Sequence, residues 1–230
     1  IAAQIAQGHL WPTVKIDAIE LVPEEVEKAD RQADLLRKSG AEVKIVNDDF
    51  FHWMGCEGGD KKWDAIIGNP PYIRYQYFNE DQRNWAEMIF REARVPFSKR
   101  TNAWVPFVIA SVERLNPGGR LAMVIPAELL HIPHADGLRR LLEQRMERIT
   151  VIHIRQVVFS DTLQGTVLLL AVKGGGRMGA RPLREHQLSL FPELPRGQDA
   201  HLQIIDIDNP EDLQRLEFTA EGRDFRRRRR

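Results

Sequence analysis

Three observations between Lys15 and Lys173 predict an α/β fold with a parallel sheet covered on both faces. Strand-length apolar runs alternate with helix-length amphipathic stretches, the pattern in which each strand is followed by a covering helix. Gly and Pro mark helix ends, at Gly40 and at Asn116-Pro117-Gly118-Gly119. A hydrophobic content of 43% over 230 residues is enough for one substantial core and a short appendage.

The elements follow in order. Residues 1–7 read as the tail of a helix closed by Gly8. Residues 15–22 form a strand, Pro23 opens a helix over 24–38, and Gly40 stops it. A strand over 42–47 leads into residues 48–62, a loop rich in Gly and charge. Residues 63–68 form a short buried strand. Residues 75–100 interleave basic and aromatic side chains and read either as a DNA-contacting lid or as an amphipathic helix packing Trp85, Ile89 and Phe90, with the helix favoured. A helix over 102–115 stops at 116–119, and a strand over 120–125 follows. The helix 133–148 precedes strands at 149–155 and 166–173. The segment 174–200, starting with three glycines, reads as a linker. Beyond it, a strand over 201–207 and a short helix over 210–218 begin a further element that ends in the run Arg226 to Arg230. That run reads as a nucleic-acid tether, a tail or an artefact of cloning.

Charge and cysteine content narrow the classes. The net charge is zero, so attraction to nucleic acid has to come from local patches such as 74–100 and the arginine run. The single cysteine, Cys56, excludes an internal disulfide and a cysteine-rich zinc cluster. There is no apolar stretch of about 18 residues and no basic-then-apolar leader pattern, so no membrane association and a cytoplasmic location are expected. His131 and His134 lack a third partner at metal-ligand spacing, and no metal is expected.

The most informative feature is Asn69-Pro70-Pro71-Tyr72 at the end of the 63–68 strand. Two prolines remove two backbone donors and restrict the backbone, so the carbonyls of Asn69 and Pro70 have no neighbouring N–H groups to occupy them. Tyr72 adds an aromatic face. Together these suit a flat, amine-bearing substrate such as a nucleobase. With Pro near 5% of residues, such a tetrapeptide arises by chance in about one chain of this size in a thousand, which favours function over a bare turn. The carboxyl end of a strand is also where open α/β sheets bind ligands.

The segment Ile67-Gly68-Asn69-Pro70-Pro71-Tyr72-Ile73-Arg74-Tyr75 resembles the catalytic segment of amino-methylating, S-adenosylmethionine-dependent methyltransferases. It is most similar to the N6-adenine DNA methyltransferases of restriction-modification systems in which the catalytic domain precedes the target-recognition domain. The likeness extends over roughly residues 1–173. It implies a Rossmann-like class I methyltransferase fold, mostly parallel with one antiparallel strand near the end of the sheet, formed by the last two strands. By the same resemblance, residues 1–173 are a catalytic domain, residues 174–200 a linker and residues 201–230 the start of a further element or a basic tail. The family's glycine-rich turn and the strand before it should lie just upstream of Ile1, so the first strand of the fold is expected to be missing from this chain.

The resemblance also assigns roles. Glu20, near the end of the 15–22 strand, would accept the ribose hydroxyls of S-adenosylmethionine, as an acid does in dinucleotide-binding folds. A strand-end acid of this kind is also commonly a helix cap or a solvated charge. Asp49 and Phe50 would accept from the donor's adenine amino group and pack on its ring, with Asp48 as the alternative register. The Asn69 side-chain oxygen and the Pro70 carbonyl would bind the two N–H groups of a target amine, and Pro71 would rigidify the turn. Tyr72 would stack on one face of the base and Phe159 on the other, although Phe159 reads equally as a core aromatic. Arg74 is a further substrate-binding candidate.

The implied reaction is methyl transfer to the N6 amine of adenine flipped from double-stranded DNA, beside a restriction or target-recognition partner. RNA and protein-glutamine amine methyltransferases share the tetrapeptide and remain alternatives. So does a catalytically silent specificity module with the same fold.

Overall fold

The computed structural model describes residues 14–155, 165–175, 201–218 and 225–227. The expected helix at 1–7, most of the linker and Phe159 lie outside these residues. The chain divides into two compact units, residues 1–61 and 62–230.

In the first unit, β1 (Lys15–Glu20) and β2 (Glu42–Asn47) pair in parallel over six positions, from Lys15↔Glu42 to Glu20↔Asn47. Helix α1 (Pro23–Lys38) connects them and buries Ala33 and Leu36. Its ends suit its dipole, with Pro23 and two glutamates in the first turn and Arg37 and Lys38 in the last. Arg37 also bonds Asp30 at 2.7 Å and the Val43 carbonyl at 3.3 Å, tying the helix to β2. Gly40 takes φ +94°, the left-handed turn that ends the helix.

Residues 48–62 are not the loop that was expected. They contain α2 (Phe50–Cys56), whose Phe51, Trp53 and Met54 are buried. The charges and glycines around this short apolar stretch outweighed its helical signal. One of those glycines serves the helix: a Cβ on Gly58 would lie 2.6 Å from the Trp53 ring.

In the second unit, five strands lie in the order β3-β4-β6-β5-β7. These are β3 (Trp63–Gly68), β4 (Leu115–Pro126), β5 (Met146–Ile154), β6 (Thr166–Lys173) and β7 (His201–Ile207). β3 runs parallel to β4 and β5 parallel to β7, while β6 is antiparallel to both its neighbours. Four of these five strands therefore run the same way. The antiparallel strand β6 is the middle one in the order, not near the end of the sheet where it was expected, because β7 pairs on the far side of β5 and extends the sheet.

Helix α4 (Trp104–Arg114) supplies much of the core, since Trp104, Val105, Val108, Ile109 and Val112 are fully buried. Lys173 caps its last turn, donating to the carbonyls of Val112 at 2.8 Å and Leu115 at 2.9 Å, and burial lowers its pKa. Helix α3 (Glu80–Glu92) starts in a reciprocal Asn79–Gln82 capping box and buries Ile89 and Phe90, with Trp85 partly exposed. Helix α5 (Asp136–Arg145) is shorter than expected, because Pro133–Ala135 is a 3₁₀ turn and β5 already begins at Met146.

Three further expectations change. β3 was expected to be buried, yet it is the edge strand of its sheet among the described residues, and Ile67 is 58% exposed. An edge strand keeps its apolar sequence without neighbours on both sides to cover it. Residues 116–119 end α4 and also lie within β4, where the register jumps from Trp63↔Leu115 to Ala65↔Arg120. Residues 210–218 hold a 3₁₀ turn (Pro210–Arg215) and a strand (Leu216–Phe218) paired with Phe225–Arg227, so Arg226 and Arg227 belong to a small ladder.

Candidate functional site

The candidate residues fall in both units. In the second unit, the β3–β4 ladder has its last rung at Gly68↔Met123. The chain then enters Asn69-Pro70-Pro71-Tyr72. Neither proline has an N–H with which to continue the ladder. The Tyr72 hydroxyl bonds the Val124 carbonyl instead, at 3.1 Å, and its oxygen lies 3.2 Å from Asn69 Oδ1. A carbonyl buried without a donor costs about 1–3 kcal/mol, and less where, as at Val124, it is only part-buried, so this side-chain bond stabilises the turn by a fraction of that.

Pro70 is buried and Tyr72 half-buried, while Asn69 and Pro71 are exposed. No donor among the described residues bonds the Pro70 carbonyl. Burial pushes the Tyr72 phenol up to about 12, so at neutral pH it is a hydrogen-bond donor and not a base.

The residues after the turn are clamped to the start of α4. Ile73 O accepts from Ala103 N at 2.7 Å and Tyr75 N donates to Thr101 O at 3.1 Å, on either side of an antiparallel Arg74↔Asn102 bridge. The Asn102 amide donates to Glu128 at 3.0 Å, and Glu128 lies in the 3₁₀ turn (Ala127–Leu130) that follows β4. Arg139, nearly buried, holds the same turn through the carbonyls of Leu129 at 2.8 Å and Ile132 at 3.0 Å. Asn69 to Tyr75 are thereby fixed from both β4 and α4.

Arg74 is exposed, and Tyr77, on the 3₁₀ turn that follows (Tyr75–Tyr77), is 69% exposed. Tyr75 points inward instead. Its hydroxyl bonds Glu87, its ring meets Phe97 edge-on at 5.1 Å, and burial, followed by the Glu87 bond, pushes its phenol up to about 12.

In the first unit, Glu20 ends β1 directly opposite Asn47. One carboxylate oxygen accepts from Val22 N at 2.9 Å, and the Asn47 amide donates to the Glu20 and Leu21 carbonyls, each at 3.0 Å. Leu21 is 59% exposed beside it.

Asp49 caps α2: its Oδ1 accepts from Phe51 N at 2.8 Å and His52 N at 3.3 Å. Asp48 pairs with the His52 ring at 2.8 Å. The Phe50 ring, partly exposed, lies edge-on to Phe51 at 5.7 Å. Glu20 thus ends β1 and Asp49 stands just past the carboxyl end of its parallel neighbour β2, with apolar surface next to them. Two carboxylates and a ring are an acceptor set with an apolar face, which fits a nucleoside, whose hydroxyls and amino group all donate.

His131 is exposed, and burial lowers the His134 pKa. Among the described residues, no three His, Cys, Asp or Glu side chains group as metal ligands.

The sequence reading missed Val124, Asn102 and Glu128. A backbone carbonyl carries no residue-type signal, which hid Val124. Asn102 and Glu128 were visible only as polar residues at the edge of apolar runs.

A family profile, Eco57I restriction-modification methylase, matches residues 1–159. Among curated relatives, the type II methyltransferase M.AccI of Acinetobacter calcoaceticus is 29% identical over 111 residues, covering 47% of this chain and 20% of that protein. The chain spans about a fifth to a quarter of the length of the curated relatives it matches.

Among solved structures, one from Listeria monocytogenes, described as a class I S-adenosylmethionine-dependent methyltransferase, superposes with a TM-score of 0.51 at 13% identity, covering 82% of this chain and 49% of that one. The methyltransferase subunit of a type I restriction-modification system from Streptococcus thermophilus superposes at 0.54 with 17% identity, covering 77% and 43%. The fold is that of the class I S-adenosylmethionine-dependent methyltransferases.

Proposed function

We propose, from the premise that this chain belongs to the Eco57I restriction-modification methylase family, that it carries the catalytic turn for methylating the N6 amine of adenine in DNA. S-adenosylmethionine is the cofactor of this fold, and when bound it supplies an electrophilic methyl group on a sulfonium. The observation that carries the proposal is the turn after β3, where an exposed Asn69 and a Pro70 carbonyl with no bonded donor among the described residues stand beside an aromatic ring.

An exocyclic amine conjugated to a purine is a poor nucleophile because its lone pair is delocalised into the ring. The Asn69 oxygen and the Pro70 carbonyl accept its two N–H groups and favour a pyramidal nitrogen with its lone pair free for attack. Pro71 stiffens the turn. Holding the attack geometry supplies roughly 7–11 kcal/mol. The amine nitrogen would take the methyl group as its bond to sulfur breaks, leaving a neutral thioether, and would then release one of its two N–H protons to water. No general base is therefore needed at this turn. The adenine has to leave the duplex stack, and stacking on Tyr72 offsets about 1–3 kcal/mol of that cost. Phe159, outside the described residues, is proposed as the opposite face, and Arg74 as a phosphate contact. On the donor side, Glu20 takes the ribose hydroxyls, and Asp49 with Phe50 takes the adenine of S-adenosylmethionine.

The catalytic domain is taken as residues 1–173, with β7 adding a strand to its sheet beyond the linker. A restriction or target-recognition partner, on the same or another polypeptide, would supply base specificity.

The test is transfer of labelled methyl from S-adenosylmethionine to DNA, RNA and a glutamine-bearing protein, followed by nucleoside analysis. Labelled N6-methyladenine in DNA is the expected product. Label in cytosine, RNA or protein alone would overturn the assignment.

A further inference from the structure

The Tyr72 phenol has one proton and two oxygens that could receive it, the Val124 carbonyl at 3.1 Å and, as the structure orients the amide, Asn69 Oδ1 at 3.2 Å. Val124 O can only accept. It lies one residue beyond the last β3–β4 rung, where Pro70 and Pro71 cannot supply an N–H. Asn69 can meet Tyr72 with either end of its amide, because its oxygen and NH₂ group exchange places when χ2 turns by half a circle. A network in which every group is paired therefore has only one direction.

We propose that Tyr72 donates to Val124 O and accepts from the Asn69 NH₂ group, and that this relay turns the Asn69 oxygen outward toward the target amine. Tyr72 is then a positioning residue through its hydroxyl, in addition to offering a ring for stacking. Val124, at the end of β4, becomes the fixed point from which the orientation of the catalytic amide is set. In the opposite arrangement, Tyr72 donates to Asn69, one lone pair of the Asn69 oxygen is consumed, and Val124 O loses its donor. The inference rests on the proposed amine chemistry for its consequence but not for its geometry.

Two measurements on the protein carrying this chain separate those parts. The first follows hydrogen exchange of the ¹⁵N-labelled Asn69 side-chain amide. An NH₂ group bonded to Tyr72 exchanges slowly in the wild type and at least tenfold faster in Tyr72→Phe, which keeps the ring but loses the oxygen. Equal exchange in both proteins overturns the relay, whether or not DNA is methylated.

The second is a kinetic cycle. Tyr72→Phe is expected to lower kcat about tenfold, the loss of one orienting hydrogen bond, with KM for DNA unchanged. Asn69→Asp replaces the amide with a carboxylate whose two oxygens are equivalent, so in that background Tyr72→Phe should change kcat less than twofold. A penalty of the same size in both backgrounds overturns the relay. Protected exchange in a wild-type protein that methylates no DNA would keep the relay and remove the proposed function. Thermal melts of each variant report whether the fold survives.

Discussion

The two candidate regions use their polar groups in opposite ways. Around Glu20 and Asp49, the predicted acids also serve as local structure: Glu20 accepts from Val22 N, and Asp49 caps α2 through two backbone N–H groups. At Asn69 to Tyr72, the backbone is stripped of donors by two prolines, and the ladder is closed by a side-chain hydroxyl. The difference shows how one chain keeps an acceptor available. An acid at a strand end is readily captured by the next helix, whereas a carbonyl before a proline has no local N–H to capture it.

The sharpest attempt to break this contrast is Asn69→Ala. Asn69 is exposed and Tyr72 is its side-chain partner, so the melting temperature should hold while kcat falls by roughly 10²–10³-fold, as for the loss of one preorganised transition-state hydrogen bond. A parallel loss of stability would mean that the turn is structural, like the caps of the first unit.

Gly58→Ala probes that first unit. A Cβ 2.6 Å from the buried Trp53 ring should cost about 1–3 kcal/mol of stability in a denaturant titration. No loss would show that α2 does not depend on this packing.

Asp49 sharpens the contrast further because it has two proposed jobs. Asp49→Ala should cost about 1 kcal/mol through the lost cap and weaken donor binding as well, whereas Asp49→Asn keeps the cap and weakens donor binding alone. Calorimetric titration with S-adenosylmethionine beside thermal melts reads both. Unchanged donor affinity in the Asn variant would leave Asp49 as a cap only.

The smallest effect is that of pH. Tyr72 and Tyr75 titrate near 12 when folded against 10 in the open chain. Between these values the folded state holds more protons than the unfolded, so stability falls as pH rises from 10 to 12 and is unaffected below 10. Urea titrations across that window should lose part of their slope with pH in Tyr72→Phe.

Much of the fold could be read because its signals are local. β1, β2, β3 and β6 begin where their apolar runs do, and α1 is bounded by Pro23 and Gly40 as the residues demand. The failures share one cause, that burial and pairing are decided by neighbours distant in sequence. α2 was hidden between charges and glycines and exists because Phe51 and Trp53 find a core. β3 looked buried by composition but lies at an edge among the described residues. The proposed catalytic turn was visible because prolines write their constraint into the residue names. Its anchors, Val124 O and the Asn102–Glu128 bond, lie 52 and 26 residues away from their partners.

By itself, the sequence determined that a donor-poor, aromatic-flanked turn follows a strand and that acids lie at or just after the ends of two earlier strands, since proline geometry and side-chain chemistry travel with each residue. Only the tertiary structure decided which of these groups remain available and what holds them. A hydrogen bond is satisfied by whichever partner the fold brings within about 3 Å, and no residue carries that partner in its own identity.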